Sequence, residues 1–157
     1  MIHHKIDPHE FLEYVHDINL NFLEKDLVLR EELLKLNAKK IVFTNGSNDH
    51  VINITKHLGI DDLFDGSFDI VDCNFIPKPA IAPYEKLAKK FNINPKETVF
   101  IDDIAKNLEP AKKLGMKTVW LINNEYWGKQ DSDKNFVDLK IKNLSSFLKE
   151  INILQAA

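Results

Sequence analysis

Three short runs in this sequence combine residue types that can handle a phosphate and a hard cation. The first is Thr44-Asn45-Gly46, which follows an apolar, β-branched run. A hydroxyl, an amide and a flexible backbone at a strand-to-helix turn offer hydrogen-bond donors. The N-terminus of the helix that follows favours negative charge. The same tripeptide is also an ordinary turn. The second run is Pro77-Lys78-Pro79. Pro79 biases Lys78 towards an extended backbone, so the ammonium sits on a stiff segment. Such a lysine either neutralises a phosphate or is a plain loop cation in solvent. The third is Asp102-Asp103, at the end of another apolar run. Adjacent carboxylates repel each other and gain nothing from a core. A divalent cation offsets that repulsion, and oxygen ligands suit Mg²⁺. The alternative is that one carboxylate caps the next helix while the other is solvated. The apolar run ahead of the pair favours the metal reading. In that reading Asn107, one helical turn beyond Asp103, faces the same site.

These runs are set in alternating strand and helix patterns. Strands are expected over 40–44, 68–71, 98–101, 117–122 and 137–141. Asp7-Pro8-His9-Glu10 has the form of a helix start, with a capping aspartate and a proline at the first helical position. Phe11, Val15 and Ile18 then share one helical face. A second helix after Asp26 turns Leu29, Leu33 and Leu36 inward. A third carries Val51, Ile54, Thr55 and Leu58 and ends at Gly59. Later helices present Tyr84, Leu87, Ala88 and Phe91, then Leu108 and Ala111, and finally Leu144, Phe147, Leu148 and Ile151. Strands alternating with helices predict an α/β fold, a Rossmann-like, mostly parallel sheet with helices on both faces. Ligands in such folds bind beyond the carboxyl ends of the strands, where the hydroxyl turn and the acid pair fall.

Composition narrows the function. The 157 residues are 44% hydrophobic, which suits one folded domain over 1–157. The 21 basic residues are scattered among 24 acidic ones, for a net charge of -3, so no basic stripe for nucleic acid is present. No apolar run approaches membrane-spanning length. The single cysteine, Cys73, has no internal partner, and a buried thiol in a reducing cytoplasm is expected. The aromatic run Glu125-Tyr126-Trp127 is read as packing.

With these residues in hand, the sequence resembles the haloacid dehalogenase-like (HAD) hydrolases, and among them the pyrimidine 5'-nucleotidase type of phosphatase. The resemblance is carried by IVFTNGS, FIPKPAIAPYEKLAKKFNI and TVFIDDIAKNLEPAKKLGMKTVWL, and it runs from about residue 6 to 122. IDPHEFLEYVHDI resembles the end of that group's helical cap, so 1–25 is expected to be a cap remnant. The resemblance implies that Thr44, Asn45 and Gly46 bind the transferring phosphoryl group. It implies that Lys78 is the catalytic lysine that steadies phosphate and nucleophile. Asp103 would ligate Mg²⁺, supported by Asp102 and Asn107. The substrate implied is a small phosphorylated metabolite, for instance a nucleotide.

The family also carries a strand ending in Asp-x-Asp-x-Thr, whose first aspartate attacks phosphorus. No such motif occurs in these 157 residues, and Asp69 and Asp72 do not match it. A truncated chain that is inactive alone and holds Mg²⁺ weakly is therefore expected. The alternative is a non-catalytic domain that binds a phosphate ligand or a protein. By the family's fold the absent strand is central, between those ending at Thr44 and Asp102. Those two strands are then expected to pair directly, to take a strand from another chain, or to be less regular, with self-association through their open edges.

Overall fold

Among the described residues five strands form, and every pairing between them is parallel. The computed structural model describes residues 6–156. Contacts separate the chain into two units, Met1–Phe75 and Ile76–Ala157, each with its own sheet.

In the first unit, helix α1 (Pro8–His16) starts as its sequence predicts. Asp7 accepts the amides of His9 at 2.8 Å and Glu10 at 3.2 Å. Asp26 caps α2 (Leu27–Lys35) through the Leu29 amide at 2.8 Å. Leu33 is buried, and Leu29 and Leu36 are half-buried beside it. Strand β1 (Ile41–Phe43) lies against β2 (Gly66–Phe68), with Phe43 opposite Phe68. Between them runs α3 (Asn48–Leu58), which ends at the left-handed Gly59.

Two expectations here need correction. Of the expected face, Phe11 is half-buried, Val15 is exposed, and Ile18, two residues beyond the end of α1, is exposed too; Leu12 is the buried residue. The helix is short, and its inward side meets α3, so Leu12 and His16 face in and Val15 does not. The strand expected over 68–71 ends at Phe68. Beyond it Asp69 accepts the amides of Asp72 at 2.8 Å and Asn48 at 2.9 Å. Side chains that bond nearby amides in this way replace the ladder with a turn.

In the second unit, strands β3 (Val99–Asp102), β4 (Lys117–Leu121) and β5 (Leu139–Ile141) lie in that order. Around them come α4 (Ile81–Lys90), α5 (Leu108–Lys113), the short α6 (Tyr126–Lys129) and α7 (Leu144–Ala156). Tyr84, Leu87, Leu108, Ala111, Met116, Thr118 and Val119 make the buried core. Buried Thr118 donates its hydroxyl to the Phe136 carbonyl at 2.6 Å, and Asp138 accepts the Thr118 amide at 3.0 Å. Asp138 also pairs with Lys112, which holds its carboxyl below the usual aspartate range.

The single sheet expected from the sequence is thus two sheets. The strands ending at Thr44 and Asp102 do not pair with each other: β1 pairs with β2, and β3 with β4. Among the described residues no strand precedes Ile41, because 6–39 hold α1, α2 and turns. With no strand there to continue either ladder, each stops at its own edge.

A hydrogen bond ties α4 to the segment after β3. The fully buried Tyr84 donates its hydroxyl to the Asn107 carbonyl at 2.6 Å. Tyr84→Phe removes that buried bond. The expected cost is about 1–2 kcal/mol, read as a lower midpoint in urea unfolding.

Candidate active site

At the end of β3, two consecutive carboxylates go to opposite environments. Asp102 is turned in, its side chain 5% exposed, while Asp103 is exposed. Lys78 reaches Asp102 Oδ2 at 2.6 Å, and the lysine side chain is itself only 8% exposed. Asp102 Oδ1 accepts the Ile104 amide and the Asn107 side-chain amide, both at 2.9 Å. The Lys78 ammonium also lies 5.6 Å from the centre of the Phe100 ring. So Lys78, Asp102 and Asn107 meet in one buried cluster. The peptide bond between Lys78 and Pro79 is cis.

Asp103 is held differently. Trp120 donates its indole N–H to the Asp103 carbonyl at 3.0 Å, and Asn123 donates to Asp103 Oδ2 at 3.2 Å. Gly128 makes room for Asn123: a Cβ on that glycine would fall 2.7 Å from the Asn123 side chain. Among the described residues no three His, Cys, Asp or Glu gather as a metal site. Both oxygens of Asp102 are engaged by donors, which leaves Asp103 as the available carboxylate. One exposed carboxylate fits a water-rich Mg²⁺, an ion that keeps several waters beside one or two carboxylates.

Thr44, Asn45 and Gly46 follow β1 in the first unit. The Thr44 hydroxyl oxygen accepts the Gly46 amide at 2.9 Å, and the Thr44 amide donates to the Phe68 carbonyl at 3.0 Å. Ser47 caps α3 by accepting the His50 amide at 3.3 Å. Beside this turn is a groove of about 400 Å³ between α1 and the start of α3. His16 and His50 stack there with ring centres 4.1 Å apart, and His16 Nδ1 is 3.0 Å from the Ser47 hydroxyl. Burial, and then the neighbouring His50, push the His16 imidazole below its ordinary titration range. Burial does the same to His50.

Residues 10–115 match the haloacid dehalogenase-like hydrolase family, and the chain belongs to that family. Its fold is shared with an HAD phosphatase from Thermococcus onnurineus, at a TM-score of 0.62 and 22% identity over 96% of this chain and 65% of that one. The chain is 34% identical over 146 residues to Phosphate metabolism protein 8 of Saccharomyces cerevisiae, covering 83% of this chain and 44% of that protein. It is 27% identical over 137 residues to glyceraldehyde 3-phosphate phosphatase of Pyrococcus furiosus, covering 85% of this chain and 57% of that enzyme. The chain spans about half the length of these two relatives. No helix among the described residues is long and apolar enough to cross a membrane.

Sequence reasoning missed the histidine cluster, although its signal was present. His9 and His16 lie seven apart on α1, and Ser47 precedes His50 by three, as an N-cap does. The only Asp-x-Asp in the chain, Asp131-Ser132-Asp133, lies in turns after α6 and not at a strand end. Tyr126 and Trp127, read as packing, are exposed.

Two outcomes are expected. Asp102→Ala leaves the Lys78 ammonium buried without its carboxylate and costs about 3–5 kcal/mol in urea unfolding. Stability also depends on the two stacked imidazoles. Above pH 6.5 or so, histidine is neutral in the unfolded chain as well, and their contribution is complete. As pH falls below that, the unfolded chain takes up protons first and the folded chain loses stability. Denaturation midpoints at pH 7.5 and 5.5 check this, and the His16→Gln, His50→Gln double variant should show a smaller drop.

Proposed function

We propose that this chain supplies the phosphate-, lysine- and metal-bearing part of a Mg²⁺-dependent phosphomonoester hydrolase. The buried Lys78–Asp102–Asn107 cluster at the end of β3 carries the reading. A chain built only for stability would do as well with apolar residues in place of a buried ion pair. In this reading Asp102 and Asn107 are positioning residues, which fix the ammonium so that it can balance a phosphoryl group. The Thr44 hydroxyl and the backbone amides around Asn45 and Gly46 donate to phosphoryl oxygens. Asp103 is the carboxylate that would hold Mg²⁺, which when bound offsets the charge on the phosphoryl oxygens. Residues 1–25 are then the end of a cap.

Phosphoryl transfer through an aspartyl phosphate needs a carboxylate in line with the leaving oxygen. In this proposal that nucleophile comes from a segment carrying Asp-x-Asp-x-Thr, outside the 157 residues, and these residues alone do not turn over substrate. The substrate class is a small phosphorylated metabolite, with nucleoside 5'-monophosphates as the finer choice. The Pyrococcus furiosus relative, by its name, acts on a triose phosphate.

The test is hydrolysis of p-nitrophenyl phosphate with and without Mg²⁺. No turnover is expected from the 157-residue chain. Joining it to a strand that ends in Asp-x-Asp-x-Thr should restore Mg²⁺-dependent turnover, and Lys78→Met should then lower kcat about 10²–10³-fold. A panel of nucleoside 5'-monophosphates and glyceraldehyde 3-phosphate next ranks substrates. A folded, extended chain that binds phosphate yet never hydrolyses an ester would refute the enzyme reading. The chain would then be a phosphate-binding domain.

A further inference from the structure

A carboxylate in solvent needs nothing from the chain, because water fills its oxygens and the side chain keeps its freedom. Asp103 is exposed, yet it is gripped twice. The buried Trp120, on β4, donates its indole N–H to the Asp103 carbonyl at 3.0 Å. Asn123, in the turn after β4, donates its side-chain amide to Asp103 Oδ2 at 3.2 Å.

Asn123 is itself fixed. Its Oδ1 accepts the Glu125 amide at 2.9 Å, which leaves the amide nitrogen as the end turned to Asp103. Glu125 precedes α6, and the buried Gly128 of that helix lies against Asn123. A Cβ on Gly128 would fall 2.7 Å from Asn123 Cγ and 2.8 Å from its Nδ2. The backbone at 128 does not call for glycine, since the positive-φ glycines are Gly59 and Gly115. The place of Asn123 does. An asparagine that bonds an amide two residues on is an ordinary turn device, and that accounts for the bond to Glu125. It does not account for the bond to Asp103, which joins residues 20 apart in sequence. An exposed bond of that kind, which water can replace, adds little stability.

Carboxylates that ligate a metal are hydrogen-bonded in turn by neighbours that fix their direction. We infer that Asn123 is a positioning residue for the metal carboxylate: it occupies Asp103 Oδ2 and leaves Oδ1 to Mg²⁺. Among the described residues nothing else bonds the Asp103 side chain. Mg²⁺ demands near-ideal geometry, so a ligand already held in direction suits it. The inference rests on the proposed role of Asp103 and adds to it the residue that aims it.

The experiment is a titration of the 157-residue chain with Mn²⁺ as a paramagnetic stand-in for Mg²⁺, read as broadening in ¹H–¹⁵N spectra. The expected result is broadening centred on Asp103 that reaches the Asn123 side-chain amide. Asn123→Ala should weaken Mn²⁺ about tenfold. Gly128→Ala should do the same, because its methyl group displaces Asn123, and the double variant should be no weaker than either single one. Asn123→Ser keeps an oxygen for the Glu125 amide but has no donor long enough for Asp103. It should lose metal as Asn123→Ala does, while the Glu125 amide signal stays in place, which a purely structural role would not produce. If Mn²⁺ binds at Asp103 with equal affinity in the wild type and in Asn123→Ser, the role of Asn123 falls and that of Asp103 stands. No broadening near Asp103, or unchanged binding in Asp103→Asn, overturns both. If Gly128→Ala does not fold, the two Asn123 variants still decide.

Discussion

An ammonium group cannot be taken out of water without a counter-charge, and the second unit is arranged around that constraint. Lys78 is nearly buried, and Asp102 answers it directly. The carboxylate brings its own demands, because its other oxygen must be satisfied too. Asn107 and the Ile104 amide do that, and Tyr84 in turn holds the Asn107 carbonyl. Each bond makes the next necessary, from the loop before α4 to the start of α5. A buried pair of this kind is poor value for stability alone. What it does do is fix one charged group at the carboxyl end of a parallel strand, the end where such sheets place ligands.

The first unit solves a different problem with weaker means. Its turn after β1 holds no charge, only hydroxyls, amides and imidazoles. These are kept in order by side-chain oxygens that accept backbone amides: Thr44 from Gly46, Ser47 from His50, and Asp69 from Asn48 in the first turn of α3. Burial, and for His16 the neighbouring ring, disfavour a proton on the stacked histidines. The result is an ordered polar turn rather than a fixed cation. Two glycines matter for close approach and not for flexibility. Gly46 admits the His16 ring and Gly128 admits Asn123.

Much of this was legible in the residues. The cap at Asp7, the helix start after Asp26, the helix end at Gly59 and the strands ending near Thr44 and Asp102 all read correctly, because capping and β-branched runs act locally. The α/β class followed from their alternation. The α1 face did not read correctly. Apolar periodicity pointed to Phe11, Val15 and Ile18, of which only Phe11 is partly covered; the neighbour of α1 is the polar start of α3, so a histidine is turned in. The β2 strand was placed too late because Ile70 and Val71 are good strand residues. The two carboxylates of Asp69 and Asp72 turn the chain before they can pair.

The sequence by itself determined which residue types stand at the strand ends: a hydroxyl turn, a lysine between prolines and two adjacent acids. Those are matters of order along the chain, and local propensity preserves them. Only the tertiary structure decided how the two acids divide their work. Asp102 turns in to meet a lysine 24 residues away, and Asp103 stays in solvent beside Asn123. It also decided that α1 brings His16 to the turn after Thr44, 28 positions on. Such pairings depend on which surfaces are buried together, and no spacing along the chain encodes that.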